Sequence, residues 1–272
     1  MNLVKEHDQV YKEYLNFINE TIKDVKSIRR TKKFILKKED VATEKEISQI
    51  EGDSSVAEEI EESEIKQKRA SSKIYNFSNG DVYIGKMVDG NMDGTGIYTF
   101  STEEGTMEYV GDFKDDMKHG KGIFTFSNGN SYAGGFENDL MNGIGKMIYS
   151  SKDEYIGNWK DGQKNGVGIY IWEEGSVYVG EFRNSKMEGY GTCYNKEGKI
   201  IYEGEWKNNL VHGKGTYTWQ EGKIYTGDFL HGKKHGTGTF YLNNELVYDG
   251  TWKFDKPSIC NRSLDELFSS KF

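Results

Sequence analysis

A tyrosine followed two residues later by a glycine recurs along the chain on a nearly fixed step, and this periodicity limits the possible folds more than any other feature. The Tyr-x-Gly triplet opens at Tyr83, Tyr109, Tyr132, Tyr155, Tyr178, Tyr202, Tyr225 and Tyr248, in steps of 26, 23, 23, 23, 24, 23 and 23 residues. Two positions after each glycine stands a large side chain: Met87, Phe113, Phe136, Trp159, Phe182, Trp206, Phe229 and Trp252. In seven of the eight units a Gly-x-Gly pair begins nine residues after the triplet's glycine, from Gly94/Gly96 to Gly236/Gly238. All length variation falls between a Gly-x-Gly and the next tyrosine, which marks tolerant loops near Thr102 to Met107 and near Glu197 to Ile200. A tandem array is therefore expected, each unit one supersecondary element that packs on its neighbours.

Side chains at i, i+2 and i+4 share one face of a pleated strand. Tyr109, Gly111 and Phe113 thus share a face, as do Gly120, Gly122, Phe124 and Phe126, while Val110, Asp112, Lys121, Ile123 and Thr125 suit the opposite one. Each unit reads as a β-hairpin whose glycines clear room for rings to lie over bare backbone. Connections such as Ser127-Asn128-Gly129-Asn130 and Ser78-Asn79-Gly80-Asp81 carry the Asn-Gly dipeptide of tight turns with two positive-φ residues, so the meander is antiparallel. Residues 73 to 78 match a second strand, and Tyr248 to Lys253 match a first strand with no Gly-x-Gly after it. One strand, seven pairs and one strand make sixteen. An open, single-layer antiparallel sheet of that size would form an elongated, twisted rod of roughly 70 to 80 Å. A leucine-rich repeat has a similar period, but its Leu-x-x-Leu-x-Leu ladder is missing here.

The chain of 272 residues has two parts, because of its 33 glycines only Gly52 precedes Gly80. The fold expected is all-β over residues 73–255, preceded by a helical and charged extension at 1–72 that is partly disordered. Residues 256–272 are expected as a capping segment, with a short helix at 263 to 270. In the extension, Val4, Val10, Tyr11, Tyr14, Leu15, Ile18, Ile22, Val25 and Ile28 fall mainly at helical spacing, an amphipathic helix of about 25 residues with no domain of its own to pack on. A basic cluster around Phe34-Ile35-Leu36 and an acidic run from Glu58 to Glu64 follow it. These fit a solvated linker or a docking segment. A net charge of -8 gives no electrostatic footprint for nucleic acid. No stretch approaches the 18 or more apolar residues of a membrane span, and Cys193 and Cys260 lack metal-ligand spacing, so a reducing, cytoplasmic setting is expected.

Tyr-x-Gly-x-aromatic, a polar turn and Gly-x-Gly-x-aromatic on a 23-residue step resemble the MORN family (membrane occupation and recognition nexus) over about residues 73 to 255. The resemblance implies antiparallel sheets that serve as assembly and tethering modules in endomembrane junctions, radial spokes and other axonemal structures, and cytoskeletal scaffolds, often as dimers. Family members that are enzymes carry a further catalytic domain, for which the 17 residues after Asp255 leave no room. Departures are Met87 and Met147 in place of aromatics, Cys193 in place of another, and insertions before Tyr109 and Tyr202. The loosest packing is expected around Cys193. Binding of acidic phospholipid, proposed for such arrays, is not favoured, since residues 73–272 carry 22 Lys and Arg against 28 Asp and Glu.

Residues that could carry sharper chemistry have structural roles in the repeat. His119, His212 and His235 occupy one repeat position, immediately before the Gly-x-Gly, where Asn142 and Asn165 stand in other units, so they are read as turn residues rather than metal ligands. Gly-x-Gly lacks the third glycine or the Lys-Ser/Thr of a phosphate cradle. Asp115, Asp116, Asp139 and Asp161 fall in solvated turns. No cofactor or catalytic residue is expected. A single layer cannot bury both faces in itself, so the ring-bearing face is read as partly core and partly a groove for a protein partner, at Tyr109, Phe113, Tyr132, Phe136, Tyr155, Trp159, Tyr178, Phe182, Tyr202, Trp206, Tyr225 and Phe229. The expectation is a non-catalytic scaffold that bridges or spaces protein partners, in an axonemal or other cytoskeletal assembly. The alternatives are a peripheral tether on anionic lipid, or a targeting subunit of an enzyme on another chain; a homodimer is compatible with either.

Overall fold

The computed structural model describes residues 72–258 and, between residues 12 and 29, part of one helix (residues 12, 14, 16, 17, 19–23, 26 and 29), here α1. The rest of the extension and the expected helix at 263–270 lie outside the described residues. The described chain divides into two units, one up to Ser150 and one from Ser151 onward. The first holds α1, β1 (Lys73–Asn76), β2 (Val82–Val88), β3 (Asn91–Thr102), β4 (Gly105–Lys114), β5 (Met117–Thr125), β6 (Ser131–Glu137) and β7 (Leu140–Ile148). The second holds β8 (Glu154–Lys160), β9 (Gln163–Ile171), β10 (Val177–Arg183), β11 (Lys186–Tyr194), β12 (Ile200–Lys207), β13 (Leu210–Thr218), β14 (Lys223–Leu230), β15 (Lys233–Leu242), β16 (Glu245–Lys253) and β17 (Lys256–Pro257).

The fold is all-β apart from α1. Within each unit the strands follow chain order, every one antiparallel to the next, as consecutive hairpins of an open sheet. The strand expected at 73 to 78 is β1. The count exceeds the expected sixteen by one, because the chain turns again at Phe254 and Asp255 and lays down the two-residue β17 against Trp252 and Lys253.

Two kinds of turn alternate. Those between the first and second strand of a unit are two-residue turns with both central residues at positive φ, as at Asp115 (φ 50) and Asp116 (φ 66). That backbone twist matches the twist of the flanking strands. The Asn-Gly connections differ from the sequence expectation. At Phe77 to Asp81 only Gly80 has positive φ (88), and paired bonds from Gly80 N to Phe77 O and from Phe77 N to Asp81 O close a three-residue loop with a glycine bulge. The insertion before Tyr109 is not a loose loop either: it lengthens β3 and β4, which pair as far as Thr102 and Gly105.

The two glycines of each Gly-x-Gly have separate jobs. Pairing of β4 with β5 jumps from Gly111↔Gly122 to Asp112↔His119, so that Gly120 and Lys121 form a bulge. Gly120 has φ 58, and the first glycine of all seven pairs is likewise left-handed, which glycine adopts without steric cost. The second glycine clears space for a ring. A Cβ built on Gly168 would stand 2.5 Å from both Cε2 and the hydroxyl oxygen of Tyr155.

That close approach yields a prediction. Gly168→Val should destabilise the full chain by roughly 1–3 kcal/mol through overpacking. Urea unfolding should show it, with amide exchange accelerated in β8 to β10 and unaltered in β15 and β16. Unchanged stability would contradict the packing of Tyr155 over Gly168.

Two faces of the sheet as candidate functional site

Every tyrosine of the triplet lies flat over its glycines and donates its hydroxyl to the carbonyl three residues on, at 2.8–3.0 Å in all eight units, from Tyr83 to Lys86 through Tyr248 to Thr251. Each such bond is worth about 1 kcal/mol. The same rings interlock edge to face with the aromatic of their own strand and with that of the following unit. Tyr109 meets Phe113 and Phe136 at 5.0 Å, and Tyr225 meets Phe229 at 5.0 Å and Trp252 at 5.1 Å. Such pairs add about 0.5–1.5 kcal/mol beyond their area. Coupling between successive repeats within each unit thus runs ring to ring.

A turn-to-strand clamp accompanies it. Asp116 Oδ1 accepts the amide of Met92, and Asp139 Oδ1 that of Lys118, while their own amides donate to the carbonyls of the same two residues. Ser185 with Lys164, Asn209 with Met187, and Asp255 with Lys234 repeat the arrangement. The acidic turns therefore tie each hairpin to the one before it, a role beyond the solvation expected of them. A second carboxylate set serves the bulges: Asp112, Glu181, Glu205 and Asp228 accept the amides of Lys121, Tyr190, Lys214 and Thr237.

Of the twelve ring residues expected to meet a partner, eleven are buried and Trp206 is half-buried. A partner on this face would meet ring edges rather than free rings. Burial pushes the hydroxyls of Tyr83, Tyr109, Tyr132, Tyr178, Tyr202 and Tyr225 well above the ordinary tyrosine range. Cys193 is not a loose spot: it is buried, its thiol is pushed up to about 12, and the insertion beside it is absorbed as a one-residue bulge at Ile201. At the second strand position after each two-residue turn, Met92, Met141 and Met187 alternate with Lys118 and Lys164, and Val211 and Lys234 follow. Lys234 is fully buried, its ammonium 4.9 Å over Trp219 and 5.4 Å over Trp252. Burial lowers its pKa.

His119 and His235 sit on strands rather than in turns, opposite Asp112 and Asp228, and their carbonyls accept a second bond from Tyr109 and Tyr225. Among the described residues no group of His, Cys, Asp and Glu could hold a metal ion, and no helix is long and apolar enough to cross a membrane.

The reverse face carries its own column in register. In the first unit it runs Ile74, Ile84, Ile97, Val110, Ile123, Ala133, Lys146. Ile84, Ile97 and Val110 form a buried apolar cluster with Ile74, Val82 and Ile123 around it. Helix α1 lies on this face. Arg29 pairs with Glu108 at 2.8 Å, Lys121 pairs with Glu20 at 3.1 Å, and the Lys121 ammonium stands 4.9 Å over the Phe17 ring. Glu108 and Lys121 precede Val110 and Ile123 by two residues, which puts them on the same face. Tyr14 and Thr21, two turns apart, are buried, whereas Lys12, Asn16, Asn19, Glu20 and Lys23 are exposed. The helix expected to lack a packing surface therefore has one on the sheet.

This repeat is matched by the MORN repeat profile at residues 83–103, 109–131, 132–154, 155–177, 178–199, 202–224, 225–246 and 248–258. The chain belongs to the MORN repeat family. No curated protein matches it as a relative. Solved structures to which the chain is similar include the TCP10 domain of CPAP from Danio rerio in an E1021V mutant (14% identity over 67% of this chain and 90% of that one, TM-score 0.31). Another is the SAS-4 TCP domain of Drosophila melanogaster in complex with a proline-rich motif of Ana2 (11% identity, 76% and 99% covered, TM-score 0.31).

The raised tyrosines set a pH dependence. A phenol whose folded pKa lies above the unfolded value of about 10 gives full stability below that value and loses it as pH rises toward the folded pKa. Spectrophotometric titration should show the core tyrosines ionising only together with unfolding, in one steep alkaline transition. Smooth ionisation near pH 10 with the sheet intact would contradict their burial.

Proposed function

We propose that this chain is a non-catalytic interaction scaffold that bridges or spaces protein partners in a cytoskeletal assembly, with an axoneme as the specific setting. One observation carries the scaffold reading: the reverse face of the first unit already holds a helix, by an apolar stripe flanked by ion pairs. The sheet makes its aromatic core by itself, so a helix on the other face is an addition to a finished layer. A surface built to take one amphipathic helix is a helix-in-groove site in physical terms. The ring face contributes stiffness and, at its ring edges around Trp206, a second contact area. The cytoskeletal and axonemal setting rests on the MORN family resemblance, as does a homodimer.

Two assays on the full chain at physiological salt test this. It should stay in the supernatant with phosphatidylserine vesicles, because its net charge of -8 opposes an anionic surface. It should remain with the detergent-insoluble cytoskeleton and cross-link there to other proteins through lysines of the sheet. Sedimentation with vesicles and full extraction by detergent would favour the lipid tether and contradict the scaffold.

A further inference from the structure

The reverse face of the second unit carries the same column with different chemistry. It starts Ile156, Ile169, Val179 and then continues Thr192, Glu203, Thr216, Thr226, Thr239 and Asp249, each opposite the next in register. The positions that hold Val110 and Ile123 beneath α1 thus become hydroxyls and carboxylates. Over β11 to β16 they line a shallow cavity of about 540 Å³, bordered by Tyr190, Glu203, Lys214, Thr216, Thr226 and Asp249 and floored by glycine backbone. All of it lies within the second unit.

Charge and aromatic exposure define what such a groove accepts. Lys214 is neutralised by Asp228 at 2.8 Å, which leaves Glu203 and Asp249 without a cationic partner among the described residues. The Tyr190 ring is 47% exposed, and its hydroxyl donates to Glu203 at 3.2 Å, which holds ring and carboxylate side by side. An exposed ring beside an uncompensated carboxylate is a receptor for a lysine or arginine side chain, by cation–π contact and ion pairing together. Tyr190 and Lys214 occupy the repeat position of Lys121, which in the first unit meets the α1 side chains Phe17 and Glu20. The position that anchors a peptide by a cation there presents a cation acceptor here.

We propose that the groove over β11 to β16 docks a basic peptide segment of a partner protein, with one lysine or arginine stacked on Tyr190 against Glu203 and a second cation on Asp249. This rests on the scaffold reading and deepens it by naming the partner's chemistry. An apolar helix like α1 is excluded by the threonines and carboxylates, whose desolvation it could not offset, and an acidic segment by repulsion.

The test uses the full chain and a labelled peptide with the sequence of residues 29–38, which carries six cations and serves as a basic probe. A charge-reversed control peptide of equal length has glutamate at every basic position. Fluorescence anisotropy should show saturable binding of the basic probe, weakened by salt, and none of the control. E203Q/D249N and Tyr190→Ala should each weaken binding by about tenfold or more, with thermal unfolding unchanged. Glu137→Gln with Asp161→Asn, an equal charge loss outside the groove, should leave it unchanged. Equal weakening by that pair, or undiminished binding by E203Q/D249N, would overturn the site. Tighter binding by a chain lacking residues 30–38 would assign the groove to the chain's own basic segment and overturn a partner as occupant. Loss of probe binding with cytoskeletal retention intact would end this proposal and leave the scaffold standing.

Discussion

A phenol ring lying on a pair of glycines is the contact on which the rest of this molecule depends. A single β-sheet normally finishes its core by packing on a second layer. Here each tyrosine lies within its own sheet, over the glycines of its hairpin, with its hydroxyl bonded to a backbone carbonyl three residues on and its edges against two neighbouring rings. The buried layer is therefore one ring thick and belongs to the sheet that carries it. The turn clamps of Asp116 and Asp139 then fix each hairpin on the one before, and the bulge carboxylates of Asp112 and Asp228 hold the bulge inside their own hairpins.

Because that core consumes only one face, the other is available to sequence variation without loss of fold. The column from Ile84 to Ile123 is apolar and takes α1; the column from Thr192 to Asp249 is polar and borders an open groove. Both are set by residues at the same two positions of the repeat, so a change of partner chemistry costs the sheet little. Binding specificity in such an array resides on the face that carries no repeat signature.

Much of the fold was legible in the sequence, because Tyr-over-Gly packing needs particular residues at particular places. Tyr109, Gly111, Phe113 and the glycine pair after them give the strands, the pairing and the ring face directly. The bulge was hidden, since Gly120 and Gly122 look alike in a sequence and only their backbone angles separate a left-handed residue from a ring seat. The α1 docking face was missed for a different reason: Val110 and Ile123 read as ordinary β-branched strand residues, and nothing local links Glu108 and Lys121 to Arg29 and Glu20, 79 and 101 positions away. The aromatic signal drew attention to the face with the strongest pattern, and in a layer that buries its own rings that pattern marks packing.

Hydroxyl-radical footprinting of the isolated full chain tests the central claim most directly, because it reads ring accessibility without any partner present. The account predicts that the ring columns from Tyr83 to Tyr225 stay protected while exposed Tyr190, Phe77 and Leu246 are oxidised readily. Oxidation of Tyr109, Tyr132 and Tyr178 at the rate of Tyr190 would mean that the sheet does not bury its own core, and would contradict the account.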